Sequence, residues 1–144
     1  MGEHIGFIGL GNIGKPIADN IARGGYALSV YDVAGTEERA PMGSFVASSV
    51  SQVAEHADLL FLCLPSLSSI SAVVAEISRA NCQDDAVVVN TSTAGPTAAQ
   101  AAYDRLNEHG IHYADAPVSG SVARAGEGRL AVMFSGKAGL FERL

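Results

Sequence analysis

Gly9, Gly11 and Gly14 fall directly between an apolar run and a helical pattern, and this placement constrains the fold more than any other feature of the chain. The stretch reads Ile5-Gly6-Phe7-Ile8-Gly9-Leu10-Gly11-Asn12-Ile13-Gly14-Lys15-Pro16-Ile17. Its order is strand, tight turn, helix, which is the opening of a dinucleotide-binding crossover unit. Each glycine has a separate task. Gly9 permits the sharp turn, Gly11 has no side chain to block a pyrophosphate, and Gly14 lets the helix lie close on its strand. The first helical N–H groups then face the phosphates and favour negative charge. Gly9, Leu10, Gly11, Asn12, Ile13 and Gly14 are therefore the expected cofactor-binding turn.

Glycine is common here, 16 of 144 residues, so the spacing alone is weak. Its surroundings strengthen it. Ile13, Ile17 and Ile21, with Ala18 and Ala22, make an apolar stripe at helical spacing. Pro16 falls in the first turn, where a missing N–H costs little. Gly24-Gly25 ends the helix. A second apolar run, Ala27-Leu28-Ser29-Val30-Tyr31, ends in Asp32, 18 residues after Gly14. An acid at that strand tip can accept hydrogen bonds from both adenosine ribose hydroxyls and would repel a 2′-phosphate. The cofactor expected is NAD, with a clear preference over NADP. The plainer alternative is a glycine turn in an ordinary parallel α/β domain, with Asp32 a solvated loop residue.

One domain of 144 residues buries about two-thirds of its unfolded surface. Apolar residues are 48% and charged residues 17%, as a sheet covered on both faces requires. The net charge of −6 comes without a basic block, so nucleic acid and anionic membrane are poor partners. Cys63 and Cys82 make no disulfide framework and lack metal-ligand spacing, and Cys63 reads as a small core residue. No metal site is expected. The start has neither a secretory pattern nor the Ser or Thr at position 6 that myristoylation needs, and no apolar run is of membrane-spanning length. A reducing cytoplasm is the expected location.

The pattern along the chain alternates. Strands are expected at His4 to Gly9, Ala27 to Tyr31, Ser44 to Ala47 (short), Asp58 to Leu64, Ala86 to Val89, Ile111 to Ala114 and Leu130 to Phe134. Helices are expected at Asn12 to Arg23, Ser51 to His56, Leu67 to Arg79, Thr97 to Glu108 and from Ala138 onward, with Ala34 to Met42 a loop or short helix. Such alternation gives an α/β, Rossmann-type, doubly wound, mostly parallel sheet with helices on both faces. Ligands of such sheets bind beyond the carboxyl ends of the strands. Those ends are Gly9, Asp32, Leu64-Pro65-Ser66, Thr91-Ser92-Thr93 and Asp115-Ala116-Pro117-Val118-Ser119-Gly120-Ser121.

With these motifs in this order, the whole chain resembles the β-hydroxyacid dehydrogenase family, which includes 3-hydroxyisobutyrate dehydrogenase, tartronate semialdehyde reductase and, more distantly, 6-phosphogluconate dehydrogenase. In that family Leu64-Pro65-Ser66 would line the cofactor cleft. Asn90-Thr91-Ser92-Thr93 with Pro96 is close to D-x-S-T-x-x-P, Asn90 replacing the usual Asp. Asp115 to Ser121 is nearly the substrate signature D-A-P-V-S-G-G, with Ser121 in the place of a glycine. The resemblance implies that Thr93 lies near the nicotinamide. It implies that Ser119, Gly120 and Ser121 hold the carboxylate of a small hydroxy acid, as a hydroxyl and exposed N–H groups suit an anion. Taken singly, Ser92 and Thr93 also read as a helix start before Pro96, and Val118-Ser119-Gly120 as a turn.

The resemblance also implies a proton-moving lysine in a G-x-G-x-x-x-K-x-x-x-N helix, followed by an all-helical domain that completes the site and much of a dimer interface. Neither Lys15 nor Lys137 has that context, so no catalytic residue is assigned within residues 1–144, which read as one dinucleotide-binding domain ending at the start of the next helix. His109 and His112 read as structural, and His4 and His56 carry no signal. The implied activity is oxidation of a small 3-hydroxy acid by NAD, or the reverse, by a homo-oligomer when full length. Two other readings stay open: a nucleotide-sensing module without catalysis, and an imine reductase using NADP.

Overall fold

The computed structural model describes residues 2–144. Six strands form one parallel sheet: β1 (His4–Ile8), β2 (Ala27–Tyr31), β3 (Phe45–Val46), β4 (Leu59–Leu62), β5 (Val87–Asn90) and β6 (His112–Asp115). Their order is β3-β2-β1-β4-β5-β6, so the chain starts in the middle, winds to one edge, then returns and winds to the other. That reversal leaves a crevice beyond the carboxyl ends of β1 and β4. The helices between strands are α1 (Gly14–Arg23), α2 (Val50–His56), α3 (Leu67–Ile77) and α4 (Pro96–Asn107).

The sheet is covered on both faces, as its apolar runs demand. Val53, Ile70, Val74, Ile77 and Leu106, from α2, α3 and α4, pack with Leu60, Leu62 and Val88 on one face. Ile17, Ala18 and Ile21 of α1 pack with Phe7, Val30, Val87 and Val89 on the other. The helix starts follow local chemistry. Ser49 and Ser66 accept hydrogen bonds from Gln52 and Ser69 N–H groups, capping α2 and α3. The start of α4 is capped by Gly95, at φ +80°, followed by Pro96 at the first helical position. Ser92 and Thr93 are therefore not its cap, and the simpler reading of that motif is excluded.

The last quarter departs from the sequence reading. Leu130 to Phe134 reads as one more strand of a mostly parallel sheet, and a strand is present there. It lies outside that sheet: β7 (Val118–Ser119) and β8 (Ala131–Val132) form a separate antiparallel pair, with the short helix α5 (Val122–Gly126) between them. The chain past β8 runs back along β6 in the antiparallel sense, Asp115 and Ser135 exchanging backbone hydrogen bonds at 2.9 and 2.7 Å, so this segment adds no further parallel strand. The final helix, expected to run on from Ala138, is a single turn, α6 (Ala138–Phe141). Among the described residues, no helix is long and apolar enough to cross a membrane.

A titratable cluster lies at the amino end of the sheet. His4 Nε2 is 2.6 Å from the buried Ser29 Oγ, and the His4 backbone N–H donates to Asp58 Oδ2 at 2.8 Å. The His56 ring lies 6.4 Å away. Burial lowers the His4 pKa from its usual 6.5, His56 lowers it further, and Asp58 opposes both. The unfolded chain therefore takes up a proton at a pH where the folded chain resists it. The stability held by neutral His4 is complete above pH 6.5 and is lost as the pH falls through the lowered folded value. The urea midpoint should drop between about pH 7.5 and about pH 5, and His4→Gln should flatten that drop. An unchanged acid limb in the variant would assign the sensitivity to other groups.

Candidate functional site

A cavity of about 920 Å³ opens at the carboxyl end of β1 and β4. Gly9, Leu10, Gly11, Asn12, Ile13, Gly14, Asp32, Leu64 and Pro65 all line it. Gly9 turns the chain at φ +99°, and a Cβ there would lie 2.1 Å from the Cys63 carbonyl oxygen. A Cβ on Gly14 would lie 1.9 Å from the Gly9 carbonyl oxygen, so α1 meets the turn backbone to backbone. Gly11 differs from both. It is exposed, and a Cβ there would meet nothing within 4 Å. Glycine at this position answers no demand of the folded chain.

The start of α1 is also bare. Unlike α2 and α3, it has no side-chain cap, and its first turn has no acidic residue. Its ladder begins with the Lys15 N–H donating to the Gly11 carbonyl at 3.0 Å. The N–H groups before that point have no helical carbonyl to donate to, and the helix dipole makes this end positive. Open space over Gly11, undirected donors and a positive end fit a diphosphate, the group that the cofactor expected from the sequence carries.

Asp32 stands across the turn and is more engaged than a solvated strand tip. Its Oδ2 accepts the Leu10 N–H at 2.7 Å, and its Oδ1 accepts the Ala34 N–H at 2.8 Å. Arg39 Nη1 lies 3.2 Å from the same Oδ1. Asp32 thus ties the glycine turn to the loop after β2. Sequence reasoning missed Arg39, which lies seven residues on in a polar loop and belongs to no motif.

The other strand ends are linked by a chain of hydrogen bonds. Leu64 N–H donates to Ser92 Oγ at 2.8 Å, and Ser92 N–H donates to Asn90 Oδ1 at 3.0 Å. Asn90 Nδ2 donates to Tyr113 Oη at 3.3 Å, and that hydroxyl donates to Asp115 Oδ1 at 3.2 Å. Burial pushes the Tyr113 hydroxyl pKa well above its usual 10, and Asn90 partly offsets this. Burial also raises the Asp115 pKa, against the hydrogen bond from Tyr113. Asn90 is fully buried, so the residue replacing the family's Asp is a neutral amide that can donate to Tyr113 and accept from Ser92 at once.

Ser66, Thr93, Ser119, Gly120 and Ser121 do not line the cavity. Ser66 is spent as the cap of α3, and Thr93 is exposed in the loop after β5. Val118 N–H donates to the Thr91 carbonyl at 3.2 Å, which sets the Ser119 strand beside the Thr93 loop. Ser119 is exposed on β7, paired with Ala131. The Ser121 side chain accepts the Arg124 N–H at 3.2 Å and caps α5, so its hydroxyl serves the helix. Val122, next in line, reaches the cavity wall.

Cys63, read as core, is a half-buried part of the cavity wall, with its thiol pKa raised by burial. Lys137 is an exposed residue before α6. His109 Nδ1 lies 2.9 Å from the Arg105 carbonyl, and His112 Nε2 lies 3.8 Å from Asp85. Among the described residues, no group of three or more His, Cys, Asp or Glu could hold a metal ion.

Residues 4–144 match the model of a protein family described as the NAD binding domain of 6-phosphogluconate dehydrogenase. Mouse mitochondrial 3-hydroxyisobutyrate dehydrogenase is 38% identical over 139 residues, covering 92% of this chain and 41% of the relative. The 2-hydroxy-3-oxopropionate reductase of Escherichia coli K12 is 32% identical over 145 residues, covering 97% of this chain and 49% of the relative. A solved structure of Mycobacterium tuberculosis 3-hydroxyisobutyrate dehydrogenase with L-serine superposes with a TM-score of 0.90 at 26% identity, covering 99% of this chain and 50% of that one. The chain thus spans about half the length of the relatives it matches.

Proposed function

From the premise that this chain belongs to the family of 6-phosphogluconate dehydrogenase NAD-binding domains, we propose that it is the cofactor domain of an NAD-dependent dehydrogenase of small 3-hydroxy acids. The observation that carries this reading is the uncapped start of α1 beneath the open space at Gly11. In this reading Gly9, Leu10, Gly11, Asn12, Ile13 and Gly14 hold the diphosphate. Asp32 faces the adenosine ribose, Leu64 and Pro65 line the cofactor cleft with Ser66 next to them at the start of α3, and Thr93 lies near the nicotinamide. Bound NAD would supply the ring that takes up or gives back a hydride. Residues 1–144 form one domain in this reading.

For the acid we propose Ser119, with Gly120 and the Ser121 main chain, as the carboxylate contact. Two facts support it. The strand carrying Ser119 is hydrogen-bonded to the Thr91 loop, and the Mycobacterium tuberculosis relative was solved with L-serine, a small 3-hydroxy acid. No lysine here is assigned to proton transfer. Lacking that group, the 144-residue chain should turn over about 10²–10⁴-fold more slowly than a complete enzyme. The remaining length of the relatives is where we would seek the group, together with the contacts of a homo-oligomer. The thiols Cys63 and Cys82, both unpaired, suit a reducing compartment such as the cytoplasm.

Calorimetric titration tests both halves of this reading. NAD should bind the chain, and a small hydroxy acid such as L-serine should bind the NAD-saturated chain. Ser119→Ala should weaken the acid by about tenfold, the worth of one hydrogen bond to a charged group, and leave NAD binding within about twofold. Indifference to every small hydroxy acid would favour a pure nucleotide sensor. Loss of NAD binding in the variant would make Ser119 a structural residue.

A further inference from the structure

Asp32 by itself implies a clear preference for NAD over NADP, because a lone carboxylate repels a 2′-phosphate. The carboxylate is not alone. Arg39 Nη1 stands 3.2 Å from its Oδ1, and both residues line the cavity wall. The two charges cancel locally, so the repulsion expected from Asp32 is offset.

The pair is also unequally dependent. Asp32 keeps two backbone N–H donors, from Leu10 at 2.7 Å and Ala34 at 2.8 Å, whether or not Arg39 is present. The carboxylate stays hydrogen-bonded if the guanidinium moves. Among the described residues, the Arg39 side chain otherwise has only a long contact, 3.5 Å, to the Gly35 carbonyl. Its backbone is fixed, because Arg39 N–H donates to the Thr36 carbonyl at 3.0 Å, and Thr36 Oγ1 accepts the Asp32 N–H at 2.9 Å. The loop therefore holds a partly exposed guanidinium beside the residue meant to read the ribose. A guanidinium presents paired donors that match a phosphate bidentately, and Asp32 here holds it through Nη1 alone. Glu37 and Glu38 flank it in sequence but are exposed, where solvent and salt screen them.

We propose that Arg39 is a specificity-determining residue at the adenosine end, able to reach a ribose 2′-phosphate with the guanidinium nitrogens that Asp32 does not hold, so that the chain accepts NADP as well as NAD. This rests on the dinucleotide lying in the cavity as set out under Proposed function. The test is calorimetry of NAD, NADP, ADP-ribose and 2′-phospho-ADP-ribose on the chain, on Arg39→Gln and on Arg39→Lys. NADP should bind the chain within about tenfold of NAD, with a steeper salt dependence. Arg39→Gln should weaken both 2′-phosphorylated ligands by about 20-fold or more, leave NAD and ADP-ribose within about threefold, and be partly rescued by Arg39→Lys. A preference for NAD above about 100-fold in the unaltered chain overturns the inference, as does an equal loss of all four ligands in Arg39→Gln. Binding of none of the four overturns the proposed function itself and this inference with it, so the two failures are distinct.

Discussion

Valine at position 11 should leave the chain folded and cost dinucleotide binding about 100-fold. The two halves of that result come from one observation. A Cβ on Gly11 meets no atom of the protein within 4 Å, and Gly11 is not among the residues held at positive φ. The folded chain therefore has room for a side chain and no backbone strain to impose on it. The space it would fill is the space over the uncapped start of α1. A branched side chain there holds a diphosphate away from the N–H donors. Two hydrogen bonds to a charged group, each worth roughly 1.5–3 kcal/mol, account for a loss of that size. Circular dichroism melts and calorimetric NAD titrations measure the halves separately. A melting point within about 2 °C of the parent, with NAD binding weakened about 100-fold, is the expected pair. Unimpaired NAD binding would place the diphosphate elsewhere and remove the main support for the proposed function.

The first strand, the turn and the first helix were legible because three signals of different origin coincide there: an apolar run, glycine spacing and a helical stripe. β4 and β5 were legible because strands covered on both faces must be nearly all apolar. Boundaries shifted by a residue or two, as at Leu59–Leu62 within the run expected from Asp58 to Leu64.

β7 and α5 were not legible, and β8 was legible as a strand within Leu130 to Phe134 but not as the antiparallel partner of β7. Strands of two residues show no periodicity, and a five-residue helix shows less than two turns of it. The polar wiring of the site was hidden for another reason. Asn90, Ser92, Tyr113 and Asp115 meet only because β5 and β6 are neighbours in register, Val88 beside Tyr113 and Asn90 beside Asp115. Arg39 meets Asp32 only through the fold of a loop that carries no repeating pattern. Sequence patterns report elements, whereas contacts across elements need the topology.

Alanine at position 14 should have the opposite signature to valine at position 11, failing first in stability. Inside a helix, glycine to alanine ordinarily gains up to about 1 kcal/mol. Here the new Cβ would stand 1.9 Å from the Gly9 carbonyl oxygen and 3.0 Å from its carbonyl carbon, with Cys63 Cβ at 3.3 Å. The obstacle is backbone, not the movable end of a side chain, and that backbone is pinned by the Gly9 N–H donating to the Tyr31 carbonyl at 3.0 Å. Relief requires α1 to lift from β1, separating Ile17, Ala18 and Ile21 from the face they share with Phe7 and Val30. Overpacking typically costs about 1–3 kcal/mol and more where the obstacle is rigid backbone, as here, so the clash outweighs the helix propensity. For a chain of this length, a net loss of about 2–3 kcal/mol lowers the melting point by roughly 10 °C. NAD binding should fall as well, because the donors of the turn move with the helix. A melting point equal to or above the parent's would mean that the helix is free to shift, and that the close approach at Gly14 is not what fixes the turn.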